Sequence, residues 1–157
     1  MSRLSLRRAG PDDEPVLRQS VLAVRAERFS ALPPALAETL LAQQWLGWQA
    51  ALTHYPASQI WLAEDATSTC VGHALTARNG TAWTLVDMGI RPEYRGQGLG
   101  EALLNQLIAT LPEAVERLEL RVDAQNRAAR ALYEKLGFAV YAEDGPDLRM
   151  ARARAPD

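Results

Sequence analysis

Arg95-Gly96-Gln97-Gly98-Leu99-Gly100 sets three glycines between a strand-like segment and an apolar helical pattern, EALLNQLIATL. Glycine has no Cβ, so the backbone can turn sharply there and come close to a ligand. The first N–H groups of the following helix lack partners within it, and the positive end of its dipole lies behind them. Such a loop suits an anion, and phosphate is the usual one. Spacing excludes two phosphate loops. A dinucleotide fingerprint needs G-x-G-x-x-G, but the residue three after Gly98 is Glu101. A P-loop needs Lys-Ser or Lys-Thr after its last glycine, and neither follows here.

The loop resembles the Q/R-x-x-G-x-G/A pyrophosphate loop of the GNAT superfamily of N-acetyltransferases, which bind acetyl-coenzyme A. The resemblance continues upstream through Ile90-Arg91-Pro92-Glu93-Tyr94. Downstream it covers Asn126 and Leu132-Tyr133-Glu134-Lys135-Leu136-Gly137-Phe138. It implies that Arg95, Gly96, Gln97, Gly98, Leu99 and Gly100 hold the diphosphate, Arg95 through its side chain or its place in the loop. A single charge at a helix N-terminus gains about 0.3–1 kcal/mol. Micromolar affinity needs about 8 kcal/mol, so the cofactor requires further contacts. The resemblance supplies them. It implies a bulged strand over Asp87-Met88-Gly89-Ile90 that splays from its parallel neighbour and pairs pantetheine with the backbone of Met88 and Ile90. Gly89 is compatible with a bulge or a close ligand approach.

The resemblance also makes Tyr133 the group that protonates the leaving thiolate. A phenol with a pKa near about 10 is protonated at neutral pH and can act as a general acid. Packing beside Ala129 and Leu136 is the plainer use of the same ring. Asn126 is suited to a helix N-cap, and the family places a cofactor contact there; both roles can hold together. A lysine-like amine costs roughly 4–5 kcal/mol to deprotonate at neutral pH, so a carboxylate near the site is useful. Asp87 is the first candidate for that base and Glu64 the second. His73 is expected as a core histidine or an acceptor-pocket residue, and His54 as a surface or cap residue. Trp45, Trp48 and Tyr55 serve helix-to-sheet packing or the wall of an acceptor groove.

Positioning these residues requires a folded core, and 157 residues suit one domain over 1–157. The chain is 48% hydrophobic and 23% charged, with a formal net charge of −2. That balance argues against a nucleic-acid footprint. Cys70 is the only cysteine, which excludes an intrachain disulfide and suggests a small buried residue. No signal core or spanning apolar run is present, so a cytoplasmic protein away from membranes is expected.

Leu4 and Leu6 alternate as a first strand. Val16, Leu17, Ser20, Val21 and Val24 share one helical face. Leu36, Leu40, Leu41, Gln44, Trp45, Trp48 and Leu52 mark a second helix. Strands follow at 59–64, 70–75 and about 81–90, with Asn79-Gly80 as a hairpin turn. Leu99 to Leu111 forms a helix, and Leu118, Leu120 and Val122 a strand. Ala128 to Leu136 forms the last helix, capped by Gly137, and one or two strands surround Gly145-Pro146. The result is an α+β fold of order β-α-α-β-β-β-α-β-α-β. Its mixed, mostly antiparallel sheet has six or seven strands and about four flanking helices, as in the GNAT fold.

The expected activity is transfer of acetyl from acetyl-CoA to a primary amine, on a small molecule or a protein, without a metal. The expected assembly is a monomer or homodimer. A non-catalytic acyl-CoA-binding regulator is the alternative, and a generic nucleotide binder a third.

Overall fold

The computed structural model describes residues 3–154. The first half runs β1 (Ser5–Arg8), α1 (Glu14–Arg25), α2 (Pro34–His54), β2 (Gln59–Glu64), β3 (Cys70–Asn79) and β4 (Ala82–Ile90). The second runs α3 (Leu99–Ala109), β5 (Arg117–Asp123), α4 (Arg127–Lys135), β6 (Ala139–Asp144) and β7 (Asp147–Ala153). Seven strands form one sheet in the order β1-β2-β3-β4-β5-β7-β6. Only β4 and β5 pair in parallel, because α3 carries the chain back across the sheet between them.

Local sequence explains the element ends. Pro15 and Pro34 sit in the first turns of α1 and α2, where a missing N–H costs nothing. Gly80 takes a φ of 64° in the two-residue turn between β3 and β4. That hairpin extends β3 to Asn79, four residues beyond the expected end. Gly137 ends α4 with a φ of 93°, while the Phe138 N–H bonds to the Tyr133 carbonyl.

Alternation along the strands divides the core. Leu62, Cys70 and Leu75 pack with Leu17, Val21, Trp45 and Trp48 of α1 and α2. Ala63, Val71 and Ala74 face the other way, into a core shared with Leu103, Leu104 and Leu107 of α3 and with Tyr133 of α4. Two residues assigned to apolar helix faces are exposed instead. Val16 faces solvent while Leu17, Ser20 and Val21 carry the buried face of α1. Leu36 lies in the first half of α2, more than two turns before its first buried residue, Trp45.

Candidate active site

The site begins where the parallel pair separates. β4 pairs with β5 only from Ala82 to Leu85, opposite Arg117 to Leu120. The β3–β4 register then shifts, with Thr76 opposite Leu85 and Leu75 opposite Asp87, so Val86 is the extra residue. The bulge thus lies beside Asp87, at the start of the stretch where a bulged strand is expected. Gly89 has a packing reason instead: an added Cβ would lie 2.8 Å from Val24 of α1 and 3.1 Å from the His73 ring.

Past the bulge, the Arg91 N–H bonds to the Val71 carbonyl on β3. Antiparallel alternation therefore turns the backbone groups of Met88 and Ile90 away from β3, toward the gap left by β5. That gap opens into a cleft of about 600 Å³. Met88, Gly89 and Ile90 form one wall, Leu132 and Tyr133 another, and the glycine loop one end.

Gly96 and Gly98 have φ values of 79° and 74°, and a Cβ on either would project into open space. Here glycine supplies both the left-handed turn and a bare backbone at the cleft. Gly98 is the N-cap of α3, so the unpartnered first-turn N–H groups of that helix open at the same place. The cradle fits a diphosphate. Gly100 differs: it is helical, and an added Cβ would make only ordinary contact with Leu132 of α4 at 3.6 Å. Leu99 is buried in the core beneath the loop. Arg95 is engaged within the protein. Its guanidinium pairs with Glu27, and its Nε donates to the Ile90 carbonyl at 3.2 Å. An incoming diphosphate would compete with Glu27 for that cation.

Asn126 and Tyr133 bring α4 to the cleft. Asn126 caps the helix, its Oδ1 accepting from the Ala129 N–H at 3.1 Å. The Tyr133 ring is 8% exposed and packs edge-on to Phe138 at 6.1 Å. Burial, with a smaller contribution from the negative charge of Asp87, pushes its phenol up to about 12. The hydroxyl therefore keeps its proton throughout the neutral range.

Asp87 lies at the centre of a part-buried polar chain. Its Oδ2 accepts from Trp48 Nε1 at 2.8 Å and from His73 Nε2 at 3.2 Å, and Oδ1 pairs with Arg25 at 3.3 Å. Burial alone would raise the carboxyl. The His73 contact, the Arg25 charge and the Trp48 N–H outweigh it and hold the group well below the usual carboxylate range. An anionic carboxylate only accepts, so Nε2 of His73 carries a proton, and in the neutral ring Nδ1 accepts from the Ser20 hydroxyl at 2.8 Å. Ser20 and His73 are almost fully buried. The chain ties α1, α2 and β3 to one side chain of β4.

Residues 21–138 match the acetyltransferase (GNAT) family. The chain belongs to this family. It is 33% identical over 130 residues to mycothiol acetyltransferase of Beutenbergia cavernae, covering 79% of this chain and 43% of that protein. It is 52% identical over 56 residues to the [ribosomal protein bS18]-alanine N-acetyltransferase of Escherichia coli K12, covering 35% of this chain and 38% of that protein. The chain thus spans less than half the length of these relatives. Among solved structures, PaiA N-acetyltransferase from Thermoplasma acidophilum, in complex with coenzyme A, superimposes with a TM-score of 0.76. That alignment has 19% identity and covers 96% of this chain and 99% of that one.

Within this GNAT fold, Met88, Ile90, Arg95, Gly96, Gly98, Leu99, Gly100, Asn126 and Tyr133 line one cleft. Gln97 lies in the loop between the two left-handed glycines. Asp87 is beside the cleft but faces α1 and α2. Glu64 is not brought there: it pairs with Arg7 at 3.1 Å, joining β1 to β2. Trp45 and Trp48 stack at 5.7 Å and pack against the sheet, and the indole N–H of Trp48 also orients Asp87. Reading the sequence missed Arg25 and gave Gln44 only a place on the stripe of α2, without its bond to Arg25. Ser20 carried a usable signal, since a hydroxyl on an apolar helix face requires a buried partner.

Proposed function

We propose that this chain is an N-acetyltransferase that moves the acetyl group of acetyl-CoA directly to a primary amine. The observation that carries the proposal is the cleft between the diverging strands. It has a diphosphate cradle at one end, exposed backbone groups along β4 and a protonated tyrosine among its walls. Bound acetyl-CoA would supply an activated acyl group. The Gly96–Gly98 turn and the first N–H groups of α3 hold its diphosphate. Met88 and Ile90 offer strand-like backbone partners to the pantetheine chain, and the Met88 N–H meets negative charge growing on the acyl oxygen.

Tyr133 gives its proton to the departing sulfur. Asp87 faces the amine. Its low basicity suits it to stabilise the charge growing on nitrogen and to pass a proton to solvent, not to store one. This division of labour gives the acid and the carboxylate opposite environments, one shielded and neutral, the other anchored and anionic.

The test is a screen for acetyl-CoA-dependent release of free CoA across small amines, amino acids, peptides and aminoglycosides. Amine-dependent release that weakens in Tyr133→Phe supports the proposal. Tight CoA binding with no release for any amine would instead support a binding-only protein. Tight binding of NAD or ATP without CoA would contradict both.

A further inference from the structure

Two spaces border β4, and the negative charge of Asp87 on one side is felt by Tyr133 on the other. Met88 and Ile90 line the cofactor cleft, while the preceding residues Val86 and Asp87 line a cavity of about 180 Å³ beneath α2. Its other walls are Leu75, Trp48, Gly47 and Ala51, with Gln44 and Arg25 supplying polar groups. A group held there would lie against the Asp87 carboxylate, the side chain the proposed reaction turns toward the amine.

Two observations single out this cavity. The first is Gly47, in the interior of α2. Glycine is the poorest helix former apart from proline, yet a Cβ at Gly47 would meet nothing within 4 Å. No packing within the protein requires a glycine there; Gly47 is exposed and leaves a bare stretch of helix at the edge of the cavity. The second is the arrangement of charge. Arg25 is fixed at both ends of its guanidinium, by Gln44 Oε1 at 2.7 Å and by Asp87 at 3.3 Å. Guanidinium carries five N–H donors, and these two contacts leave others directed around the same plane. An anion and a cation thus stand side by side on the cavity wall, each anchored by neutral partners.

We propose that this cavity is the acceptor subsite and that it selects an amine bearing a carboxylate close by, as a free amino acid does. The inference rests on the acetyltransferase reading above. The amine faces Asp87 and the carboxylate faces Arg25, so the zwitterion lies antiparallel to the protein's own ion pair. Electrostatic complementarity of this kind discriminates between partners more than it adds raw affinity. A polycation would place positive charge against Arg25. A peptide N-terminus would offer Arg25 only a neutral carbonyl.

The experiment measures kcat/KM for a panel of free amino acids, each beside its amide and its decarboxylated amine, with acetyl-CoA saturating. The preferred amino acid should exceed both analogues by roughly tenfold or more, since charged hydrogen bonds are the stronger class. Arg25→Gln should collapse that ratio toward one through KM, and Arg25→Lys should restore part of it. Gly47→Leu should raise the acceptor KM without changing the Kd for CoA, and a merely structural glycine would not separate the two. Amines acetylated with a ratio near one, or a preference for polyamines or peptides, would overturn the inference while leaving the acetyltransferase reading intact. CoA binding with no amine acetylated would overturn that reading as well. If Arg25→Gln does not fold, the wild-type ratio decides alone.

Discussion

Replacing Tyr133 by phenylalanine removes one oxygen and leaves the rest of the ring. The ring is 8% exposed and retains its edge-on contact with Phe138 at 6.1 Å. No hydrogen bond holds the hydroxyl among the described residues. Stability should therefore change by less than about 1 kcal/mol, or roughly 2–4 °C in Tm for a chain of this size. Catalysis should change far more. General acid catalysis contributes about 10²–10⁴-fold, or roughly 2.7–5.4 kcal/mol. A departing thiolate with a pKa of about 8.5 is a fair leaving group on its own, which favours the lower end. The assay follows free CoA at saturating acceptor, beside thermal unfolding and CoA binding by calorimetry. The expected result is a loss of about a hundredfold in kcat with CoA affinity and Tm nearly unchanged. A loss under about threefold in a folded variant that still binds CoA would refute the assignment of Tyr133 as the acid.

Three further outcomes follow from the same geometry. Gly98→Ala forces an L side chain into a φ of 74°; it should cost about 1–2 kcal/mol in urea unfolding and weaken CoA binding measured by calorimetry. Glu27→Gln releases Arg95 from its exposed ion pair and should tighten CoA binding by at most about fivefold, since such pairs are worth about 0.2–1 kcal/mol. The raised phenol of Tyr133 favours the folded state most below its ordinary value of about 10. That stability should be lost as pH rises from there toward about 12, giving a steeper alkaline fall in urea midpoint for wild type than for Tyr133→Phe.

Much of the fold was legible because periodicity and turn chemistry agree along the chain. β2 occupies Gln59–Glu64 as its residue pattern requires, and Asn79-Gly80, Gly137 and Gly145 each end an element with a positive φ. The cleft was legible for the same reason: it is lined by contiguous motifs whose backbone needs are specific. Asn126 illustrates this, capping α4 and lining the cleft at once. The residue that forms the bulge was not legible, because a glycine is ambiguous. Gly89 reads as a strand irregularity, but its missing side chain makes room for Val24, while Val86 has nothing in its type to mark it as the extra residue.

The polar chain around Asp87 was illegible because it is assembled from four separate elements. Arg25, Gln44, Ser20, His73 and Trp48 meet around Asp87 only through tertiary packing. A lone arginine at a helix end reads as a favourable partner of the dipole, and a tryptophan on an apolar stripe reads as core. Both readings are true of Arg25 and Trp48, and neither shows the carboxylate they hold. The exposed Leu36 reflects the same limit, since helical spacing does not say where the sheet beneath a helix ends.

The central claim is direct transfer from acetyl-CoA to an amine. Its most direct test quantifies N-acetylated product by mass spectrometry and free CoA in the same reaction, with the best amine from the acceptor screen. The account predicts equal amounts of the two, both dependent on the amine and both strongly reduced in Tyr133→Phe. CoA release without N-acetylated product, or tight acetyl-CoA binding with no turnover for any amine, would contradict it.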